Sequence, residues 1–452
     1  MALRLAFGFV REGFMLGKCL LWLSLAIAIP VGTAMWLPQV PPWRTPPAIY
    51  SGGTSYAASE LEFQFQVIGP PFTGLPLITN VQILDFDGDG QNEIIACDAL
   101  GNRILIHKRQ PDGSWEESVL IADVSVPAHV TVVDIDDDGD LDVIVSVLGN
   151  LMPDDGVIGR VELFENREEG FVRHVILDDV RRVADVQYGD FNGDGKLDLA
   201  VAVFGYARGE VLWLENLGDF EFRSHTLLSA PGAIHVPVGD FDQDGDLDIM
   251  AIVTQNEEEL WGFENQGDGT FVARQLWMTI NLDLGGAGLV AADLDGDGDL
   301  DLIMPAGDNL EDFDAYPQPY HGCYWFENLG DWRFEMRRIS DLGGTYAAAV
   351  ADFDGDGHQD VVLVSLTNDW LQPDNASVVW LQNDGQQNFT PWQIASHPMH
   401  LVTVAAGDID GDGLPDIVAG SLNVRRPHAG AGRISAWVSG QRGESSELRG
   451  ER

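Results

Sequence analysis

The sequence predicts an all-β fold, a seven-bladed β-propeller of four-stranded blades, and three observations carry that prediction. A nine-residue pattern reading Asp, apolar, Asp or Asn, any, Asp, Gly, any, any, Asp or Glu begins at Asp85, Asp134, Asp190, Asp240, Asp293, Asp352 and Asp408. Its copies are 49, 56, 50, 53, 59 and 56 residues apart, and self-similarity at such a period marks propellers and related arrays. After each copy comes a short apolar run rich in β-branched residues, such as Val143 to Val147 or Val361 to Ser365. Runs of that length are too short for core helices and read as buried strands. Further on stand Leu163-Phe-Glu-Asn166, Trp213-Leu-Glu-Asn216, Phe263-Glu-Asn265, Trp325-Phe-Glu-Asn328 and Trp380-Leu-Gln-Asn383, each followed by a Gly-containing turn and an aromatic residue. That is the sequence form of a hairpin. Each repeat thus offers four strands: one entering the acidic loop, one leaving it, and the two arms of the hairpin, which together make a propeller blade.

In chain order, residues 1–37 place Arg4, Arg11 and Lys18 ahead of an apolar run from Cys19 to Ile29, the layout of a signal peptide or of an uncleaved N-terminal membrane anchor. Both readings predict an exported chain, extracellular, periplasmic or held at the cell surface. Residues 38–60, with five prolines from Pro38 to Pro47 and then Gly52 and Gly53, predict a stiff linker. The repeats occupy residues 61–440, and residues 441–452 are a polar tail. Repeat one carries a degenerate hairpin signature, Leu105 to Lys108 leading to Trp115, and repeat seven keeps Trp437 with no apolar fourth strand after it. The segment Leu61 to Ile68 resembles the fourth strands Phe220 to Arg223 and Trp332 to Glu335. It is therefore predicted to complete the seventh blade from the other terminus, closing the ring and removing a free edge.

The acidic loops put oxygen side chains at four fixed positions. Position 1 holds the seven Asp residues named above, and position 3 holds Asp87, Asp136, Asn192, Asp242, Asp295, Asp354 and Asp410. Position 5 holds Asp89, Asp138, Asp194, Asp244, Asp297, Asp356 and Asp412, and position 9 holds Glu93, Asp142, Asp198, Asp248, Asp301, Asp360 and Asp416. Calcium takes six to eight oxygens at roughly 2.3–2.6 Å, and closely spaced carboxylates around a glycine turn supply them. Position 7 varies freely through Gln91, Asp140, Lys196, Asp246, Asp299, His358 and Leu414, as a main-chain carbonyl ligand would allow. The helix-loop-helix calcium motif needs a Glu at position 12, where this chain has Ala96, Val145, Val201, Ala251, Met304, Leu363 and Ala419, so that motif is excluded.

Lys plus Arg number 25 against 72 Asp plus Glu, a formal charge of -47, which makes nucleic acid and anionic lipid surfaces poor partners. Cys19, Cys97 and Cys323 are too few and too scattered for a disulfide framework, and the last two read as small buried hydrophobes.

The recurring loop together with the strand pattern resembles the FG-GAP and VCBS repeat families, whose blades occur in the integrin α-subunit head and in many exported bacterial proteins. The likeness covers about residues 61–440, and the seven loops are its specific part. It implies a seven-bladed β-propeller with calcium between the first and second strands of each blade, up to seven ions. The Phe-Gly opening and the Gly-Ala-Pro segment that name the integrin version are mostly absent here.

In such a blade the loops after strands two and four leave on the face opposite the acidic loops. The longer ones span residues 149–159, 305–322, 367–376 and 423–430. Variable loops on a rigid ring are where binding usually resides. The expected function is an exported, monomeric calcium-binding propeller that serves as a binding or adhesion module for a protein or a polysaccharide. The alternative is a polysaccharide lyase or hydrolase working at the mouth of the central channel. Five residues before each first Asp stand Asn80, His129, Asp185, His235, Gly288, Ala347 and Thr403, and of these His129, Asp185 and His235, with Arg182 nearby, are the candidates for acid-base chemistry. The aromatic residues of the hairpin signature recur at one place in most blades and are read as packing between blades rather than as a sugar platform.

Overall fold

The computed structural model describes residues 53–440, apart from 153, 256, 282, 311–315, 425, 429 and 430. The leader and the tail read from the sequence lie outside the described residues. Every regular element among the described residues is a β-strand, and no helix there is long and apolar enough to cross a membrane.

The strands form seven antiparallel sheets, and in all but the seventh the sequence order runs from the axis outward. Blade 1 is Ile78–Leu84, Glu93–Asp98, Arg103–Arg109 and Trp115–Ala122. Blades 2 to 6 repeat this arrangement over 127–180, 182–229, 233–279, 290–340 and 345–395. In blade 4 the innermost strand is split into Ala233–His235 and Val238–Gly239 around Pro237, which has no N–H to give the ladder. Blade 7 runs Leu401–Gly407, Asp416–Ser421, Ile434–Ser439 and then Phe63–Ile68 from the other end of the described chain. Phe63 faces Ser439 and Ile68 faces Ile434 in antiparallel register, so the predicted closing strand is observed.

Strand two of every blade is buried on both faces, which is why it reads as a continuous apolar run rather than an alternating one. Its side chains feed hydrophobic clusters shared by adjacent blades. Ala200 and Trp213 of blade 3 pack with Ile249 and Phe263 of blade 4, and Ile78 and Ile94 of blade 1 pack with Val418 and Ala436 of blade 7. Each fully buried side chain of this size contributes roughly 1.5–3 kcal/mol, so the ring is held by its interfaces as much as by its sheets. The hairpin aromatics bridge blades as read from the sequence: Trp213 meets Phe271 at 5.7 Å and Trp325 meets Phe389 at 6.1 Å between ring centroids. Cys97 and Cys323 are buried and unpaired.

Two details differ from the sequence reading. In blade 1 Ile94 faces His107, whereas in blade 5 Leu302 at the same loop position faces Phe326. The degenerate signature therefore sits one residue later than Leu105 to Lys108, and Lys108 and Arg109 take the places of Glu and Asn. A hairpin without the aromatic-Glu-Asn letters gives no anchor for counting, and the sheet register supplies it. Residues of the segment read as linker also lie along blade 6. Thr54 N–H donates to Asn368 Oδ1 at 3.2 Å, and the Tyr56 hydroxyl donates to Asp341 Oδ1 at 2.7 Å.

Candidate metal centres and the channel cluster

Each acidic loop joins strand one to strand two, and its own backbone aims the carboxylates. In blade 2, Asp134 accepts the N–H groups of Asp138 at 3.1 Å and Gly139 at 3.0 Å, and Asp138 accepts that of Asp140 at 2.9 Å. Gly139 has φ 98°, and the glycines at the same place in the other loops are likewise in the left-handed region, where a side chain is strained. Position 4 is left-handed as well, with φ 61° at both Asp137 and Gln243 and a glycine in the other five loops. The sequence reading treated position 4 as free, although its glycine content carried the signal.

Carboxylate oxygens of positions 1, 3 and 9 converge in blades 1, 2 and 4, as do those of positions 1, 3 and 5 in blades 5 and 6, all within 4.8 Å of one another in each group. The donors are oxygen alone, the set that a hard divalent cation takes. Position 9 is the carboxylate that the backbone holds most firmly, whether within the converging set, as Asp248, or beside it, as Asp301. Asp248 is buried and accepts Phe241 N–H at 3.0 Å and Asn265 N–H at 2.8 Å, and Asp301 accepts Leu294 N–H at 3.1 Å and Asn328 N–H at 2.8 Å. Burial, reinforced by the neighbouring loop carboxylates and opposed by these hydrogen bonds, pushes Asp248 and Asp301 up to about 7. The same balance brings Asp142, Asp198, Asp360 and Asp416 to about 6. Groups that hold protons this firmly lack a counter-charge, and a bound dication supplies one.

The Asn of the hairpin signature has a role that the sequence reading missed. Its backbone N–H meets the position-9 carboxylate, and its side chain ties blade to blade. Asn265 Nδ2 donates to Phe191 O, Asn328 Nδ2 to Phe241 O and Asn383 Nδ2 to Leu294 O, each at 2.9 Å across to the preceding loop. Its recurrence beside the loops was the available signal.

A profile of the FG-GAP-like repeat matches residues 85–145, 190–251, 240–304 and 362–419, together more than half of the sequence. The chain belongs to the FG-GAP-like repeat family. The fold is also found in solved structures of BBS1N in complex with ARL6DN. The crystal soaked with mercury is 9% identical with a TM-score of 0.50, and the crystal soaked with lead is 10% identical with a TM-score of 0.52. Each comparison covers 86% of this chain and 99% of that one. No curated protein matches the sequence.

Within the FG-GAP-like ring, the innermost strands of six blades carry a register shift just before the residue five places ahead of the first Asp. Bulges of this kind re-aim side chains. In blades 2, 3 and 4 those residues come together: His129 Nδ1 lies 3.3 Å from Asp185 Oδ1, and His235 Nδ1 lies 3.9 Å from Asp185 Oδ2. Asp185 is buried and also accepts Val236 N–H at 2.9 Å and Gln187 Nε2 at 3.0 Å. Burial alone would raise its carboxyl, but the two imidazoles and these donors bring it below the usual carboxylate range. Arg182 stands apart, its guanidinium stacked 4.6 Å from the Phe204 ring centroid and 5.2 Å from that of Tyr206. Asn80 Oδ1 accepts Val130 N–H and Thr403 Oγ1 accepts Val81 N–H, so both serve the seams between blades.

The face opposite the acidic loops carries an apolar cluster. Leu77, Leu151, Leu310 and Tyr346 pack around Leu366, Val402 and Leu422, a cluster drawn from five blades. Burial, then Asp308 and Tyr206 beside it, push the Tyr346 hydroxyl up. Outside this cluster the loops of that face expose large apolar side chains, with Met152 and Leu371 each 65% exposed and Ile280 87% exposed, accompanied by Leu100, Ile158 and Val424.

Proposed function

We propose that this FG-GAP-like chain is an exported, calcium-stabilised propeller that binds a partner protein through the loops opposite the calcium sites. The observation that carries the reading is the asymmetry of the two faces. One is lined by ordered carboxylates, and the other presents Met152, Ile158, Ile280, Leu371 and Val424 to solvent on loops anchored in a closed ring. The acidic face exposes Leu217 and Leu329 at 42% and 43%, so the contrast rests on Met152, Leu371 and Ile280, and apolar side chains exposed to that degree on a rigid scaffold favour a docking surface over a polysaccharide cleft. The BBS1N chains that share the fold are themselves in complex with a partner protein. Calcium is the cation that suits the loops, because they offer oxygens alone and a freely varying position 7. Extracellular calcium modules bind with constants of roughly 0.1–1 mM, which fits export directed by the basic and apolar leader.

The test is a protein array and a polysaccharide array, both probed with the calcium-loaded chain and with a Met152→Asp, Leu371→Asp variant. A protein ligand whose binding falls at least tenfold in the variant, at unchanged melting temperature, is the expected result. Ligands confined to polysaccharides, or protein ligands indifferent to the variant, contradict the reading.

A further inference from the structure

The cluster of His129, Asp185 and His235 has the composition of a metal centre quite unlike the acidic loops. Two imidazoles and one carboxylate, supplied by three consecutive blades from equivalent positions, are a donor set that suits first-row transition metals and not calcium. Zinc bound at about 2.0–2.1 Å from nitrogen and oxygen in a tetrahedron has ligand atoms about 3.3–3.4 Å apart. The His129–Asp185 pair stands at 3.3 Å. The His235–Asp185 pair stands at 3.9 Å, too long for a hydrogen bond and about half an ångström beyond that edge.

Both histidines turn Nδ1 toward the carboxylate, and each carboxylate oxygen faces one of them. Asp185 is held in place by Val236 N–H and Gln187 Nε2, the kind of supporting bonds that orient a ligand before the metal arrives. The next blade places Gly288 where a fourth side chain would stand. A methyl group there would stand in ordinary contact with the far ring nitrogen, 3.8 Å from His235 Nε2, and 37% of the His235 side chain reaches solvent, so the cluster is accessible from outside. Three protein ligands with one open position is the arrangement of metal sites that take water or a small anion as a fourth ligand.

We propose that His129, Asp185 and His235 form a three-ligand site in the central channel for one divalent transition metal of the zinc class, separate from the loops on the rim. The site is independent of the proposed docking function.

The experiment titrates the full chain, with its loops saturated by calcium, with zinc chloride in a calorimeter and with cobalt(II) under visible absorption. One zinc per chain and a cobalt spectrum of low-coordinate type are expected, with affinity lowered about tenfold or more in His129→Ala and in His235→Ala. Pulsed EPR of the unsubstituted chain carrying one copper(II) reads the ligands without relying on either variant, and imidazole nitrogen coupling is expected. No zinc uptake at calcium saturation, uptake equal in wild type and both variants, or a copper signal without imidazole nitrogen overturns the proposal.

Discussion

The acidic loops of blades 1 and 5 share one pattern and one backbone course, yet the residue beside them differs in sign. In blade 5 the third strand sets Glu327 next to the loop, and Asn328 reaches both Asp301 and the neighbouring blade. In blade 1 the same two places are Lys108 and Arg109. The Lys108 ammonium pairs with Asp87 and lies 3.8 Å from Glu93 Oε1, and Arg109 donates to Asp410 O of blade 7 at 3.1 Å. The hydrogen bond from Lys108 holds the Asp87 carboxyl below the usual range, whereas burial and its neighbours raise Asp295 in the same place of blade 5. Blade 1 therefore sets a counter-charge on the loop carboxylates themselves, whereas in blade 5 the nearby Arg337 guanidinium is taken up by Glu327 and Glu335. A repeated motif is not a repeated affinity, because the third strand sets the field in which each loop works.

The largest way to sharpen this contrast is to remove the anchor carboxylate. Asp301→Ala strips a buried acceptor from Leu294 and Asn328 N–H, and at about 1–3 kcal/mol per orphaned amide it should cost about 2–6 kcal/mol in denaturant unfolding. Glu93→Ala, which frees Phe86 N–H, should cost about 1–3 kcal/mol. Equal losses in the two blades would remove the distinction. Next comes Lys108→Met, which takes a positive charge out of loop 1. A unit charge about 4 Å away is worth between about 1 kcal/mol in water and about 4 kcal/mol near a protein surface. Calcium affinity at loop 1 should then rise about tenfold, visible in calorimetry as one additional tight site. The smallest effect is expected for Lys196→Met in blade 3, because that ammonium, as exposed as Lys108, has Asp194 as its one ion-pair partner, whereas Lys108 also reaches the buried Glu93.

Acidity distinguishes the loops as well. The six Asp residues at position 9 have folded values of about 6 or about 7, against about 3.9 for an unfolded Asp. Between those limits the calcium-free folded state holds protons that the unfolded state has released. Its stability is therefore full below about pH 4 as far as these groups are concerned, and falls as pH rises toward about 7. The melting temperature of the metal-stripped chain should drop between about pH 4 and about pH 7, and saturating calcium should shrink that drop. A rise in the metal-stripped melting temperature over the same interval would contradict the assigned shifts.

Much of this architecture was legible because a propeller repeats itself. Seven Asp-rich loops set the blade count, and the unmatched segment Leu61 to Ile68 supplied the missing fourth strand of blade 7. Patterns of one residue type at fixed spacing survive without any knowledge of register. What stayed hidden depended on register or on distance through space. Lys108 and Arg109 could be placed only once Ile94 was seen opposite His107. The bridges from Asn265, Asn328 and Asn383 to the preceding blade span 74 to 89 residues, and local spacing carries no trace of them. Arg182 looked close to the channel histidines along the chain, but its aromatic partners Phe204 and Tyr206 draw it away.

Scanning calorimetry of the calcium-loaded chain against the same chain stripped of metal tests the central claim most directly, that the rim carboxylates are ordered for calcium and that calcium holds the ring together. Each site kept at a hundred times its dissociation constant adds about 2.7 kcal/mol to the folded state, so stripping the metal should lower the melting temperature and restoring calcium should reverse the loss. Superimposable melting curves with and without calcium would contradict it.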